Sequence, residues 1–188
     1  SKVLNYKPDK PDFKHRDRFL LSKGHAGAGL YATLAKVGFI DESILETHYQ
    51  NGSYLSGHVC HKIFPGIEFS TGSLGHALPV SVGIALGLKL KNINSKVFCL
   101  MSDGELDEGS NWEAFLSAAH NNLNNIIAIV DRNRLQSIED TETTLMLEPL
   151  KEKLLAFNWE VEVIDGHDHS KLTNVLKINN QKKPLIVI

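Results

Sequence analysis

Ser102-Asp103-Gly104-Glu105 closes one apolar segment, Lys96–Met101, and Asn133 lies just beyond the next, Ile126–Val130. Between Gly104 and Asn133 lie 28 residues with a helical period, so the unit reads strand, helix, strand. A connection of that kind makes the strands parallel and brings Asp103 and Asn133 to the same carboxyl edge of the sheet. Open α/β sheets bind ligands at that edge. A carboxylate, an amide oxygen and a main-chain carbonyl, with Leu135 as the candidate, are hard oxygen donors. Mg²⁺ takes such donors while keeping phosphate oxygens and water in its shell. Each half has a plainer reading, because Asp-Gly is a common turn and Asp-x-Asn a common strand-ending loop. Their separation, with the acidic flank Glu105-Leu106-Asp107-Glu108, favours a joint metal-diphosphate site.

The elements that must hold these groups follow from pattern. Residues 1–18, with Pro8 and Pro11, read as a connecting loop. Leu30, Leu34 and Val37 recur at helical spacing, and Gly38 stops that helix. Ser43–Gln50 reads as a short helix. Residues 51–74 are rich in Gly and Pro without a clear period, and a long loop in a compact fold is more often functional than idle. A helix rich in small residues spans 75–90. In the helix between the two key strands, Trp112, Phe115, Leu116, Ala119 and Leu123 form one apolar stripe. A further helix starts near Pro149, followed by the strand Trp159–Ile164, a turn at Asp165-Gly166-His167-Asp168, a helix over Ser170–Ile178 and the strand Pro184–Ile188. The expected fold is α/β, a mostly parallel sheet flanked by helices, as one domain over residues 1–188. Both ends read as the interior of a larger domain.

Composition narrows the function classes. A net charge of −2 provides no basic field for nucleic acid or an anionic membrane. No run reaches the roughly 18 apolar residues that a membrane span needs, and no signal peptide opens the chain. With two cysteines, one of them inside an apolar strand, a reduced cytoplasmic protein is the expectation. His58-Val59-Cys60-His61 raises zinc, but no Cys-x-x-Cys partner completes a four-ligand set. Neither a Gly-x-Gly-x-x-Gly after a strand nor a Gly-Lys-Ser/Thr loop occurs, which argues against a nucleotide site.

The Asp-Gly…Asn pattern resembles the thiamine-diphosphate signature, and the string Ser102–Phe115 resembles its transketolase form. Asp17–Ala26, Ser70–Gly75 and Val163–Asp168 are similar to further transketolase segments in the same order. The likeness is closest to the N-terminal, diphosphate-binding half of split transketolases. It implies Mg²⁺ on Asp103, Asn133 and the Leu135 carbonyl, and thiamine diphosphate against Gly72, Leu74, Gly104, Glu108 and Asn133. Glu108 would also lie near a dimer interface. His25 and His58 would serve as catalytic residues beside the thiazolium and the donor sugar. The resemblance further implies transfer of a two-carbon ketol unit from a ketose to an aldose. It requires a C-terminal subunit whose pyrimidine domain supplies a glutamate, in a dimer or heterotetramer, with phosphorylated sugars as substrates. Alternatives within this reading are a 1-deoxyxylulose-5-phosphate synthase-like enzyme or a non-catalytic subunit keeping the fold. His76 and His167 stay open between structural and functional roles. His15, His48, His120 and His169 read as surface residues, and Arg132 and Arg134 as solvated charges flanking the metal loop.

Overall fold

The structure, a computed structural model, describes residues 3–177 and 182–188. Five strands form one all-parallel sheet in the order β1-β2-β3-β5-β4: β1 Arg18–Leu21, β2 Val97–Ser102, β3 Ile126–Asp131, β4 Glu160–Glu162 and β5 Leu185–Val187. The helices are α1 Gly27–Lys36, α2 Ala77–Leu90, α3 Gly109–His120, α4 Thr141–Thr144, α5 Leu150–Ala156 and α6 His169–Leu176. The α/β expectation holds, with every described strand pair parallel.

β2 and β3 are apolar nearly throughout because both of their faces are covered, as central parallel strands require. Cys99, Met101, Ala128 and Val130 face α2, α3 and α5, packing with Ala85, Phe115, Leu154 and Trp159. Phe98 and Ile127 face the other way, with Leu185, Val187 and Val175 of α6. Beside them, Leu21 packs with Leu30, Tyr31 and Leu34 of α1. Fully burying a side chain such as Phe115 contributes about 1.5–3 kcal/mol, so these two layers hold the sheet edge rigid.

Several sequence expectations are corrected. β1 falls where no strand was expected. At four residues beginning with Arg18 it carries too little pattern, and its pairing comes from β2, with Leu20 opposite Cys99. The α3 stripe is rotated, since Asn111, Ala114, Phe115 and Ala118 are buried while Leu116 is 60% exposed. Asn111 Nδ2 donates to the Glu105 carbonyl at 2.6 Å and Trp112 Nε1 to that of Leu106 at 2.8 Å. These bonds pin the first turn and swing Leu116 outward. Ser43–Gln50 is a 3-10 segment, Glu42–Thr47. His48 is half-buried between the rings of Tyr31 and Tyr49 rather than on the surface. The end of the expected last helix, Ile178, lies outside the described residues. Among the described residues no helix is long and apolar enough to cross a membrane.

Candidate functional site

The register pairs Ser102 with Asp131 at the carboxyl ends of β2 and β3, so Asp103 and Arg132 leave the sheet side by side. Asp103 opens a 3-10 turn, Gly104–Asp107, and is fully buried. Its Oδ1 accepts from Gly104 N–H at 2.8 Å. Its Oδ2 accepts from Arg134 N–H at 2.7 Å and from Arg132 Nη1 at 3.0 Å. Asn133 therefore sits between the two residues that hold Asp103. Its own Oδ1 accepts from Leu135 N–H at 2.9 Å, an Asx turn that aims the amide oxygen inside the loop. Leu135 is well exposed on its side-chain side and bridges to Asp140.

Arg132 corrects the reading of a solvated charge. Its side chain is only 9% exposed. Nη1 also donates to Thr141 Oγ1 at 2.6 Å, while Nη2 donates to Glu142 Oε1 and to Glu148 Oε1 at 3.1 Å. Burial disfavours its charge, yet the bonds to Asp103, Glu148 and Glu142 outweigh that and hold its pKa above the ordinary value. Arg134 contributes through its main chain, at φ +64.

A second set of residues closes on the same edge. Glu105, fully buried, accepts from Ser22 Oγ, from Gly75 N–H at 2.8 Å and from Ser102 N–H at 3.3 Å. One carboxylate thus joins the end of β1, the 70s segment and the end of β2. Lys23, next along the chain, pairs with Asp131 Oδ2 at 2.6 Å and ties the segment after β1 to the tip of β3. Gly24 packs so closely on Thr71 that a Cβ there would lie 2.9 Å from the Thr71 carbonyl. Gly72 lies beside His58, with a Cβ there 3.6 Å from the imidazole. Leu74 is half-buried, and Gly75 is locked to the start of α3, its carbonyl accepting from Ser110 Oγ at 2.6 Å. Glu108 precedes α3, is exposed, and makes no side-chain cap; its Cβ stands against Gly75.

His25 and His58 are both exposed. The pKa of His25 is lowered, first by burial, then by the positive Lys23 and by His58. The lowered pKa favours the neutral imidazole, the form that can accept a proton. Cys60 is half-buried, and its thiol pKa is lowered by the Lys62 amide and by Ser70. His76 and His167 are exposed.

The expected site residues thus gather in two neighbouring groups at one sheet edge. Asp103, Gly104, Asn133 and Leu135 form one; His25, His58, Gly72, Leu74 and Glu108 form the other, joined to the first through Glu105. In the sequence Glu105 stands only as part of an acidic flank and Arg132 as a solvated charge, and neither Ser22 nor Lys23 is singled out. A charged residue directly after a strand tip, as Arg132 is after Asp131, was the signal available. Among the described residues no three His, Cys, Asp or Glu side chains gather where a metal could sit. A cation at these tips would need one carboxylate together with amide and main-chain oxygens. An apolar cavity of about 370 Å³ lies elsewhere, between β1 and α1, lined by Phe19, Leu21, Leu30 and Phe39 and by none of these residues.

Residues 1–188 match the family described as transketolase, thiamine diphosphate binding domain. The chain belongs to that family. It is 42% identical over 188 residues to one of the subunits of the apulose-4-phosphate transketolase of Actinobacillus succinogenes, covering 100% of this chain and 68% of that one. It is 35% identical over 189 residues to the 6-deoxy-6-sulfo-D-fructose transketolase subunit SqwG of a Clostridium strain, covering 100% and 69%. The crystal structure of transketolase from Campylobacter jejuni superposes with a TM-score of 0.91 at 32% identity, over 98% of this chain and 30% of that one. The chain spans about two thirds of the subunit relatives and under a third of the Campylobacter transketolase. The transketolase resemblance and its α/β fold are thereby established.

Proposed function

We propose that this chain is the diphosphate-binding half of a split transketolase, folded as one domain over residues 1–188. The observation that carries the reading is the convergence of two strand tips. Asp103 and the Asn133 loop are tied by the 2.7 Å bond from Arg134 N–H to Asp103 Oδ2. The residues fit a divalent cation in donor type: a fully buried carboxylate, whose charge Arg132 balances, is tied to a loop carrying an amide oxygen and a main-chain carbonyl. Asp103, Asn133 Oδ1 and the Leu135 carbonyl would hold Mg²⁺, an oxygen-only set of the kind that metal accepts.

Gly104 would offer its main chain to the diphosphate. The Gln136 side chain now lies over it, 2.8 Å from where a Cβ would be, and is the group that yields. Gly72, Leu74 and Glu108 would line the rest of the cofactor cleft. Thiamine diphosphate supplies the carbon nucleophile that carries the ketol unit. The chain's own part is binding, orientation and proton handling. Neutral His25 accepts a proton from a sugar hydroxyl, and His58, beside it, holds the neighbouring hydroxyl. Glu105 and the Lys23–Asp131 pair keep these segments at fixed spacing. Phosphorylated ketoses and aldoses are the proposed substrates, the phosphate by analogy with the apulose-4-phosphate in one relative's name; another relative's name carries a 6-sulfo sugar in its place.

A C-terminal subunit with a pyrimidine domain and its glutamate completes the site, in a dimer or heterotetramer in the cytoplasm. Ketol transfer is expected only when the two polypeptides are mixed; turnover by the purified 188-residue chain with Mg²⁺ and thiamine diphosphate would reject the split arrangement. Asp103→Ala should abolish most of the thermal stabilisation that Mg²⁺ and thiamine diphosphate confer on the assembled enzyme. Unchanged cofactor affinity in that variant would reject the metal assignment.

A further inference from the structure

Asp103 is a carboxylate removed from water, its side chain 1% exposed, at the point where the proposed Mg²⁺ binds. A buried charge without a counter-charge is strongly unfavourable. Before the metal arrives, the main-chain N–H groups of Gly104 and Arg134 supply hydrogen bonds to Asp103, but Arg132 supplies the cation, 3.0 Å away. The same guanidinium reaches Thr141, Glu142 and Glu148. It therefore ties Asp103 to α4 and to the residue before Pro149, and so closes the whole loop that carries Asn133 and Leu135. Only a planar fork can serve all of these acceptors together.

We propose that Arg132 is a positioning residue: a resident cation that neutralises Asp103 and holds its carboxylate and the Asn133 loop in register before the divalent ion binds. The inference rests on the metal-site reading above. With the guanidinium in place, Mg²⁺ meets a carboxylate whose charge is already balanced, so the metal adds less stability than it does when Arg132 is absent. Without it, Mg²⁺ becomes the only cation for Asp103, and the protein's stability becomes strongly dependent on the metal.

The test is a cycle of Arg132→Met and Asp103→Asn, singly and together, in the enzyme assembled with its C-terminal subunit, with thermal unfolding followed in EDTA and then in 10 mM MgCl₂ with thiamine diphosphate. Breaking a buried ion pair from one side is expected to lower the Arg132→Met midpoint in EDTA by roughly 5–15 °C. In the Asp103→Asn background the buried carboxylate is gone and only the more exposed Glu142 and Glu148 lose their cation, so the same change should lower it less. Mg²⁺ with cofactor should raise the midpoint of Arg132→Met by more than that of the unsubstituted protein. Arg132→Lys, which keeps the charge but not the fork, should recover part of the loss in EDTA. Equal losses from Arg132→Met in both backgrounds would overturn the proposal, as would a Mg²⁺ response no larger than that of the unsubstituted protein. Coupling in EDTA with no Mg²⁺ response in any protein would instead overturn the metal-site reading.

Discussion

Gly75→Ala probes how the cofactor edge is held together, and its cost can be worked from two terms. Gly75 has φ +81, where an L-residue pays roughly 1–2 kcal/mol. The new Cβ would lie 2.6 Å from Glu108 Cβ and 2.7 Å from Ser110 Oγ. Neither neighbour can step aside cheaply. Ser110 donates to the Gly75 carbonyl, and the Glu108 Cβ moves only with its backbone, whose N–H donates to the Glu105 carbonyl at 3.1 Å and whose carbonyl accepts from Asn111 N–H at 3.1 Å. Overpacking of this kind costs about 1–3 kcal/mol. The expected total is a loss of roughly 2–5 kcal/mol. Gly52→Ala is the matched control, because Gly52 has the same φ of +81 with nothing within 4 Å of its Cβ position. It should lose the backbone term alone. Urea unfolding of both variants, compared at constant slope, isolates the contact term as their difference. Equal losses would refute the claim that the 70s segment is locked against the start of α3. They would also remove the structural reason for placing Leu74 and Glu108 on one cleft wall.

Three further outcomes are expected. Gly29→Ala, inside α1 with open space around its Cβ position, should raise stability by about 0.5–1 kcal/mol through helix propensity; urea midpoints check it, and a loss would mean that the site is not open. Cys60, with its thiol pKa lowered, should react quickly with a disulfide reagent in the native protein. Cys99, fully buried with its pKa pushed up to about 12, should react only on unfolding, so two fast thiols in a native titration would contradict the structure. His25 has a folded pKa below its ordinary value of 6.5. Below pH 6.5 the unfolded chain therefore takes up this proton more readily, and the folded state loses stability as pH falls through that window. Urea midpoints between pH 5.5 and 7.5 should vary less in His25→Asn; an unaltered pH slope would reject the partial desolvation and the Lys23 contact that lower this pKa.

Much of the fold was legible because apolar runs and helical stripes report burial directly. β2 and β3 are six-residue strands whose apolar content could serve little else, and their parallel direction follows from joining them through α3, while the register that pairs Ser102 with Asp131 is set by the packed sheet. Short elements were less legible. β1 and α4 each span four residues, too few for a period, and exist because neighbours complete their hydrogen bonds. The rotation of α3 was hidden because Leu116 looks as apolar as Phe115. Only the bonds from Asn111 and Trp112 to the preceding turn decide which of them points inward.

The same division runs through the site. Residue type and spacing along the chain determined that a carboxylate and an amide oxygen would reach one sheet edge, since parallel strands joined by a helix must present their ends together. The partners of those groups were decided by the tertiary structure. Ser22 and Glu105 are 83 positions apart, and Lys23 and Asp131 are 108 apart. Contacts at such separations leave no local pattern, because they are set by packing across the sheet. Arg132 is the clearest case: its charge is plain from the sequence, but its burial against Asp103 exists only once β2 and β3 lie side by side.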